Sequence, residues 1–264
     1  MIDLSSRVGM PIALDPESGT LAFGDGVAVE GTGERRFAEL RDVLADPDAL
    51  DDERAEQPAY LLYRGVHCPS DARLLADHGL RYDLTVTLPG EVGGELVKTA
   101  GHIHNAAPDG VGYPEIYDVI HGHAAFILQE DEPLRVSIIT CDPGERILIP
   151  PGASHLTVNI GRQPLVVADL VAIASQNDYG EFRTRRGAAV HLFRDGDAWS
   201  ERINRAYPTT PVWRVLNGTR IGDFAPGDAP IYTDAIANPG DYHYLTAPAP
   251  REAEMQALWS SRDR

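Results

Sequence analysis

Glu95-Leu-Val-Lys-Thr-Ala-Gly-His-Ile-His104, then Tyr113-Pro-Glu-Ile-Tyr117, then Gly144-Glu-Arg-Ile-Leu-Ile-Pro-Pro-Gly-Ala-Ser-His155-Leu-Thr-Val-Asn159 lie within 65 residues of one another and decide the fold. His102 and His104 are two positions apart, so on an extended strand both imidazoles leave the same face. Such a pair grips one ion from a rigid support and needs further ligands from neighbouring strands. Glu115 sits in a run of β-branched and aromatic residues that reads as the next strand, ending near Gly122. Pro150-Pro151-Gly152 is a turn signal that can return a third imidazole, His155, toward the pair. His102, His104, Glu115 and His155 are therefore the expected ligands of one divalent transition metal. Their mixed nitrogen and oxygen set suits iron(II), manganese, nickel, cobalt or zinc alike.

Outward from this stretch, short strands alternate with turns from residue 81 to 193. They are expected at 81–88, 95–104, 115–120, 123–129, 134–140, 146–149, 155–159, 164–173 and 188–193. That spacing, with Pro and Gly at the joins, predicts an all-β jelly-roll barrel rather than a parallel α/β sheet. Residues 1–80 read as an arm, with a helix at 35–45, a strand at Tyr60–Tyr63 and a helix at 70–79. Residues 196–264 read as an extension packed on the barrel or on a second subunit, closed by a short helix from Glu252 to Trp259. One domain, 1–264, is expected, with its metal-binding core at about 81–195.

The 264 residues carry a net charge of −17, which argues against nucleic acid or a membrane surface as partner. No apolar run approaches the ~18 residues of a membrane span, and Met1-Ile-Asp-Leu-Ser-Ser is not a secretory signal. A cytoplasmic protein is the expectation. Cys68 and Cys141 make no disulfide framework and have no ligand spacing. Lys98 is the only lysine, and it falls four residues before His102, where an ammonium could meet a phosphate. His121 and His123 flank Gly122 as a second His-x-His pair, but no third ligand follows in order, so a surface or turn role is expected.

These residues carry a resemblance. Gly144-x5-Pro150-x-Gly152-x2-His155-x3-Asn159 resembles the second cupin motif, and His102-x-His104, Glu115 and Gly122 the first, with a longer insertion before Glu115. More narrowly, Tyr82–Thr87, Lys98–His104, Tyr113–Tyr117, Thr157–Gly161 and Asp178-Tyr-Gly180 resemble the cupin-type (archaeal-type) glucose-6-phosphate isomerases. The resemblance implies a homodimer, a sugar-phosphate substrate and iron(II) or another divalent ion. It implies phosphate contacts at Thr85, Thr99 and Gly101, with Tyr179 facing the substrate; Thr87 and Lys98 are added by proximity. Glu115 and Tyr117 are the expected catalytic pair, Glu115 moving a proton through an enediolate, or the hydrogen passing instead as hydride, and Tyr117 holding a substrate oxygen. Val171 and Asn177 depart from the tyrosine and histidine that some relatives carry there. A cupin oxygenase and a non-catalytic sugar-binding cupin are the alternatives.

Overall fold

The structure, a computed structural model, describes residues 1–131, 134–219, 221–225 and 227–260. Its centre is two facing sheet layers. The first runs Arg146–Ile149, Glu115–His121, Leu165–Ala172, Leu80–Thr87, Pro58–His67, Ala28–Arg36, each antiparallel to the next. The second runs Ser154–Asn159, Ala124–Asp131, Leu134–Cys141, Val212–Asn217. The chain from Val97 to His102 extends this second layer beside Ser154–Asn159. Thr99 donates to the Thr157 carbonyl at 2.8 Å, and Asn159 donates to Val97 at 2.9 Å. The expected jelly-roll barrel is present.

Both faces of the central strands of each layer are buried, and the two-residue period of the strands sorts their side chains. Phe126 and Leu128 point into the barrel against Tyr117, Val119, Ile147 and Val167. Ala125 and Ile127 point out, under Phe37, Leu40 and Leu192. From the first layer, Tyr82, Leu84 and Val86 point out under Met10, Leu14 and Tyr232, so both chain ends cover that face. Apolar packing fills one end of the barrel; polar residues line the other.

Three expectations shift in detail. The stretch 95–104 is not one strand, because Gly101 has φ +75° and divides Glu95–Leu96 from Ile103–His104. A Cβ there would also collide with the Phe182 ring, so glycine is required on both counts. The helix expected at 35–45 begins later, as a 3-10 helix Phe37–Val43, since residues 35 and 36 finish a sheet strand. The C-terminal extension adds a strand of its own, Val212–Asn217, which pairs in parallel with Leu134–Cys141. No helix among the described residues is long and apolar enough to cross a membrane.

Candidate active site

At the polar end, His102 and His155 lie opposite each other in an antiparallel bridge. His102 Nε2 is 3.1 Å from His104 Nε2, and Glu115 Oε2 is 3.1 Å from His155 Nε2 and 3.5 Å from His104 Nε2. One ligand atom from each of the four lies within 4.8 Å of every other. Ligands at about 2.1 Å from an ion sit roughly 3 Å apart at right angles and about 4.2 Å apart across it. The donor set fits a divalent ion on that count. The tautomers agree: His104 donates through Nδ1 to the Tyr113 carbonyl at 2.9 Å, which leaves its Nε2 lone pair facing the cluster.

Burial sets the charge states. Burial, and then the adjoining His155 and His104, push His102 well below its ordinary range, while burial also lowers His104. For Glu115, burial works upward, but the hydrogen bond from His155 and the three imidazoles prevail and hold it far below the usual carboxylate range. His102 and His104 thus present neutral nitrogens and Glu115 an anionic oxygen, the protonation a metal requires.

A pocket opens above the cluster. Thr85, Thr99, Gly101, Tyr117 and Tyr179 all line it, as do Val171 and Asn177. Thr99 Oγ1 accepts from the Thr157 amide at 3.0 Å, leaving its own hydrogen for another acceptor. Tyr117 is buried beside Glu115, and burial with that anion raises its phenol far above its ordinary value. The Tyr179 ring lies 5.8 Å from that of His102, and Asn177 Nδ2 donates to the Tyr179 hydroxyl at 3.3 Å.

Lys98 requires a correction. It does not line this pocket: its ammonium is buried and paired with Glu95, and it lies 3.2 Å from His191 Nδ1. The chain turns between Thr99 and Gly101, so a place near in sequence falls on the far side of the strand. Thr87 also misses the pocket and is wholly buried. His121 Nδ1 meets the Pro164 carbonyl and His123 Nδ1 meets Asp142, away from the cluster, as expected for turn and surface residues.

Sequence reasoning passed over the cations of the pocket, Arg35, Arg64 and Arg81, and two buried acids, Asp83 and Asp169. The missed signal was alternation: Arg81, Asp83 and Thr85 share one face of Leu80–Thr87, while Tyr82, Leu84 and Val86 take the other. Polar residues at period two were the inner face here, because the outer one is covered. Asp169 stands opposite both Tyr117 and Asp83, and burial with the Glu115 and Asp83 charges raises its carboxyl well above the ordinary range.

Fold and cluster together define a cupin, a jelly-roll barrel with a three-histidine, one-carboxylate site that could hold a metal. The chain belongs to the glucose-6-phosphate isomerase family, whose model matches residues 34–209. Among curated relatives, the glucose-6-phosphate isomerase of Thermococcus litoralis is 32% identical over 181 residues, 69% of this chain and 87% of that one. That of Thermococcus kodakarensis is 29% identical over 163 residues, 62% of this chain and 81% of its own. A bacterial relative of the same name, from Sinorhizobium medicae, is 29% identical over 194 residues, 74% of this chain and 85% of its own.

Proposed function

We propose that this pocket interconverts glucose 6-phosphate and fructose 6-phosphate, in a cytoplasmic homodimer whose 264 residues fold as one unit. The observation that supports it most is that His102, His104 and Glu115, with His155 clustered beside them, line a pocket that carries Thr85, Thr99 and Gly101 on its wall. Those four residues would hold one divalent ion, iron(II) first. Bound there, it would supply Lewis-acid polarisation of the substrate's carbonyl and adjacent hydroxyl.

The chain's own groups do the rest. Glu115 takes the proton from carbon 2 of the aldose and returns it to carbon 1, through a cis-enediolate, while the carbonyl and hydroxyl exchange places. Its Oε2 faces His104 and His155, which leaves Oε1 for that proton. The Tyr117 hydroxyl holds Glu115 and, beside it, a substrate oxygen. Thr85, the free hydrogen of the Thr99 hydroxyl and the Gly101 amide bind the phosphate, and the Tyr179 ring closes the mouth. Strand Val212–Asn217 ends the second layer with Val212 72% and Trp213 39% exposed, an apolar edge that supports pairing with a second copy.

A coupled assay of fructose 6-phosphate consumption with manganese- and iron-loaded protein, run beside mannose 6-phosphate, tests the reading. Formation of glucose 6-phosphate is expected, with deuterium entering from heavy water during proton transfer and staying out in a hydride shift. Oxygen uptake without a change in the aldose–ketose ratio would favour the oxygenase, and tight binding without turnover the sugar-binding protein.

A further inference from the structure

Arg64 and Arg81 belong to the pocket wall but to none of the roles above. Both are tied to the same carboxylate. Arg81 Nε donates to Asp83 Oδ1 and Oδ2 at 3.0 and 2.9 Å, and Arg64 Nη1 donates to Oδ2 at 3.2 Å. The Gly65 amide adds a fourth contact, to Oδ1 at 2.8 Å, so the acid is fixed from both sides. Asp83 is buried, whereas the side chains of Arg64 and Arg81 are 43% and 24% exposed. Two guanidiniums against one carboxylate leave a surplus positive charge on the clamp itself, which the Glu115 carboxylate offsets in part at Arg81. The donors not used on Asp83 have no other acceptor among the described residues.

Register places this surplus beside the histidine cluster. Arg81 stands opposite Val171, and Val171 stands opposite Glu115, so Arg81 and Glu115 are two strands apart in one row, about 10 Å between backbones. The side chain between them is a short valine, which leaves the row open for a long guanidinium to reach across. Thr85 lies four residues further along the Arg81 strand, about 13 Å away. The pocket therefore carries the two arginines at one end and Thr85 at the other.

We propose that Arg64 and Arg81, clamped by Asp83, form an anion-binding fork at the Glu115 end of the pocket, which selects sugar phosphates carrying negative charge at the end opposite their phosphate. The ligand class is the enediolate and its stable likenesses, aldonate phosphates. The enediolate half rests on the isomerase reading; the aldonate half does not. Asp83 acts here as a positioning residue, since it holds the fork and does not meet the ligand.

Titration calorimetry with 6-phosphogluconate and glucitol 6-phosphate tests the fork, because the two share a phosphate and differ in charge at carbon 1. It is run on metal-free and manganese-loaded protein, so that attraction by the ion is separated from attraction by the arginines. In metal-free wild type the acid should bind at least about tenfold more tightly, the size of one charge-assisted contact. R64M and R81M should each reduce that preference and the double variant should abolish it, with glucitol 6-phosphate affinity changed less than about twofold. R81K, which keeps charge but loses the fork, should fall between. If the double variant does not fold, R64M carries the test, because Arg64 is the more exposed partner. A preference that survives R64M and R81M overturns the fork, as does equal weakening of both ligands. Preference without turnover supports the fork and refutes only the isomerase; turnover without preference does the reverse.

Discussion

His102 and His155 face each other across a bridge in which each amide donates to the other's carbonyl, at 2.9 and 2.8 Å. The two imidazoles are therefore placed by backbone pairing, before any ion is bound. Removing one ring should leave that pairing intact. His102→Ala and His155→Ala are expected to keep the far-UV circular dichroism of the parent and to lose metal, at least about tenfold in occupancy. Metal analysis of dialysed protein measures this; unchanged occupancy in both would contradict the ligand assignment.

Gly101 tests the same geometry without touching a ligand. Its φ of +75° and the Phe182 ring leave no place for a Cβ. Gly101→Ala should cost about 1–3 kcal/mol of stability through backbone strain and weaken metal binding by displacing His102. A denaturant melt paired with a metal titration reads both effects. Retention of both at parental values would show that the bend is not what holds His102.

Glu115→Gln separates ligation from proton transfer. The amide offers the ion an oxygen but takes up no proton, so turnover should fall about 10²- to 10⁴-fold while metal content falls far less. Parallel loss of metal and turnover would make Glu115 a ligand alone.

Lys98 is placed for stability, not for substrate. It pairs with Glu95 below the surface, beside His191, and the Glu95 carboxylate also accepts from the Ala45 amide at 2.8 Å. Lys98→Met should destabilise the fold by about 3–5 kcal/mol, the cost of a buried charge left without its partner, with KM unchanged in whatever folds. Lys98→Met combined with Glu95→Gln should recover much of the loss. An increased KM with parental stability would return Lys98 to the phosphate.

The same pair sets an acid limit. Burial would raise Glu95, but Lys98 and His191 together pull its pKa from 4.5 down to about 2. The folded value is the lower one, so the stabilisation is full above about pH 4.5 and is lost as pH falls toward 2. That shift corresponds to about 3 kcal/mol. Urea unfolding from pH 6 to 3 should show a slope that Glu95→Gln removes; identical slopes would place the acid sensitivity elsewhere.

The ligand cluster and most strands were legible because each rests on a local rule: His-x-His at period two, Pro-Pro-Gly before His155, short β-branched runs between turns. Lys98 was misread because Gly101 bends the backbone, and sequence distance stopped being spatial distance there. Arg81, Asp83 and Thr85 were hard to read as a wall because the outer face of their strand is covered by residues as far away as Met10 and Tyr232. With both faces buried, alternation no longer tells inside from outside. Val212–Asn217 joins its sheet in parallel, by a long-range pairing that no neighbouring turn announces.

The most direct test of the account is a metal titration of turnover. Chelated protein is loaded stepwise with iron(II), and separately with manganese, while the glucose 6-phosphate to fructose 6-phosphate ratio is followed. The account predicts no turnover without metal, a rise that saturates at about one ion per chain, and no rise in His155→Ala. Full turnover in metal-free protein, or none on any hexose phosphate in either loaded form, would contradict it.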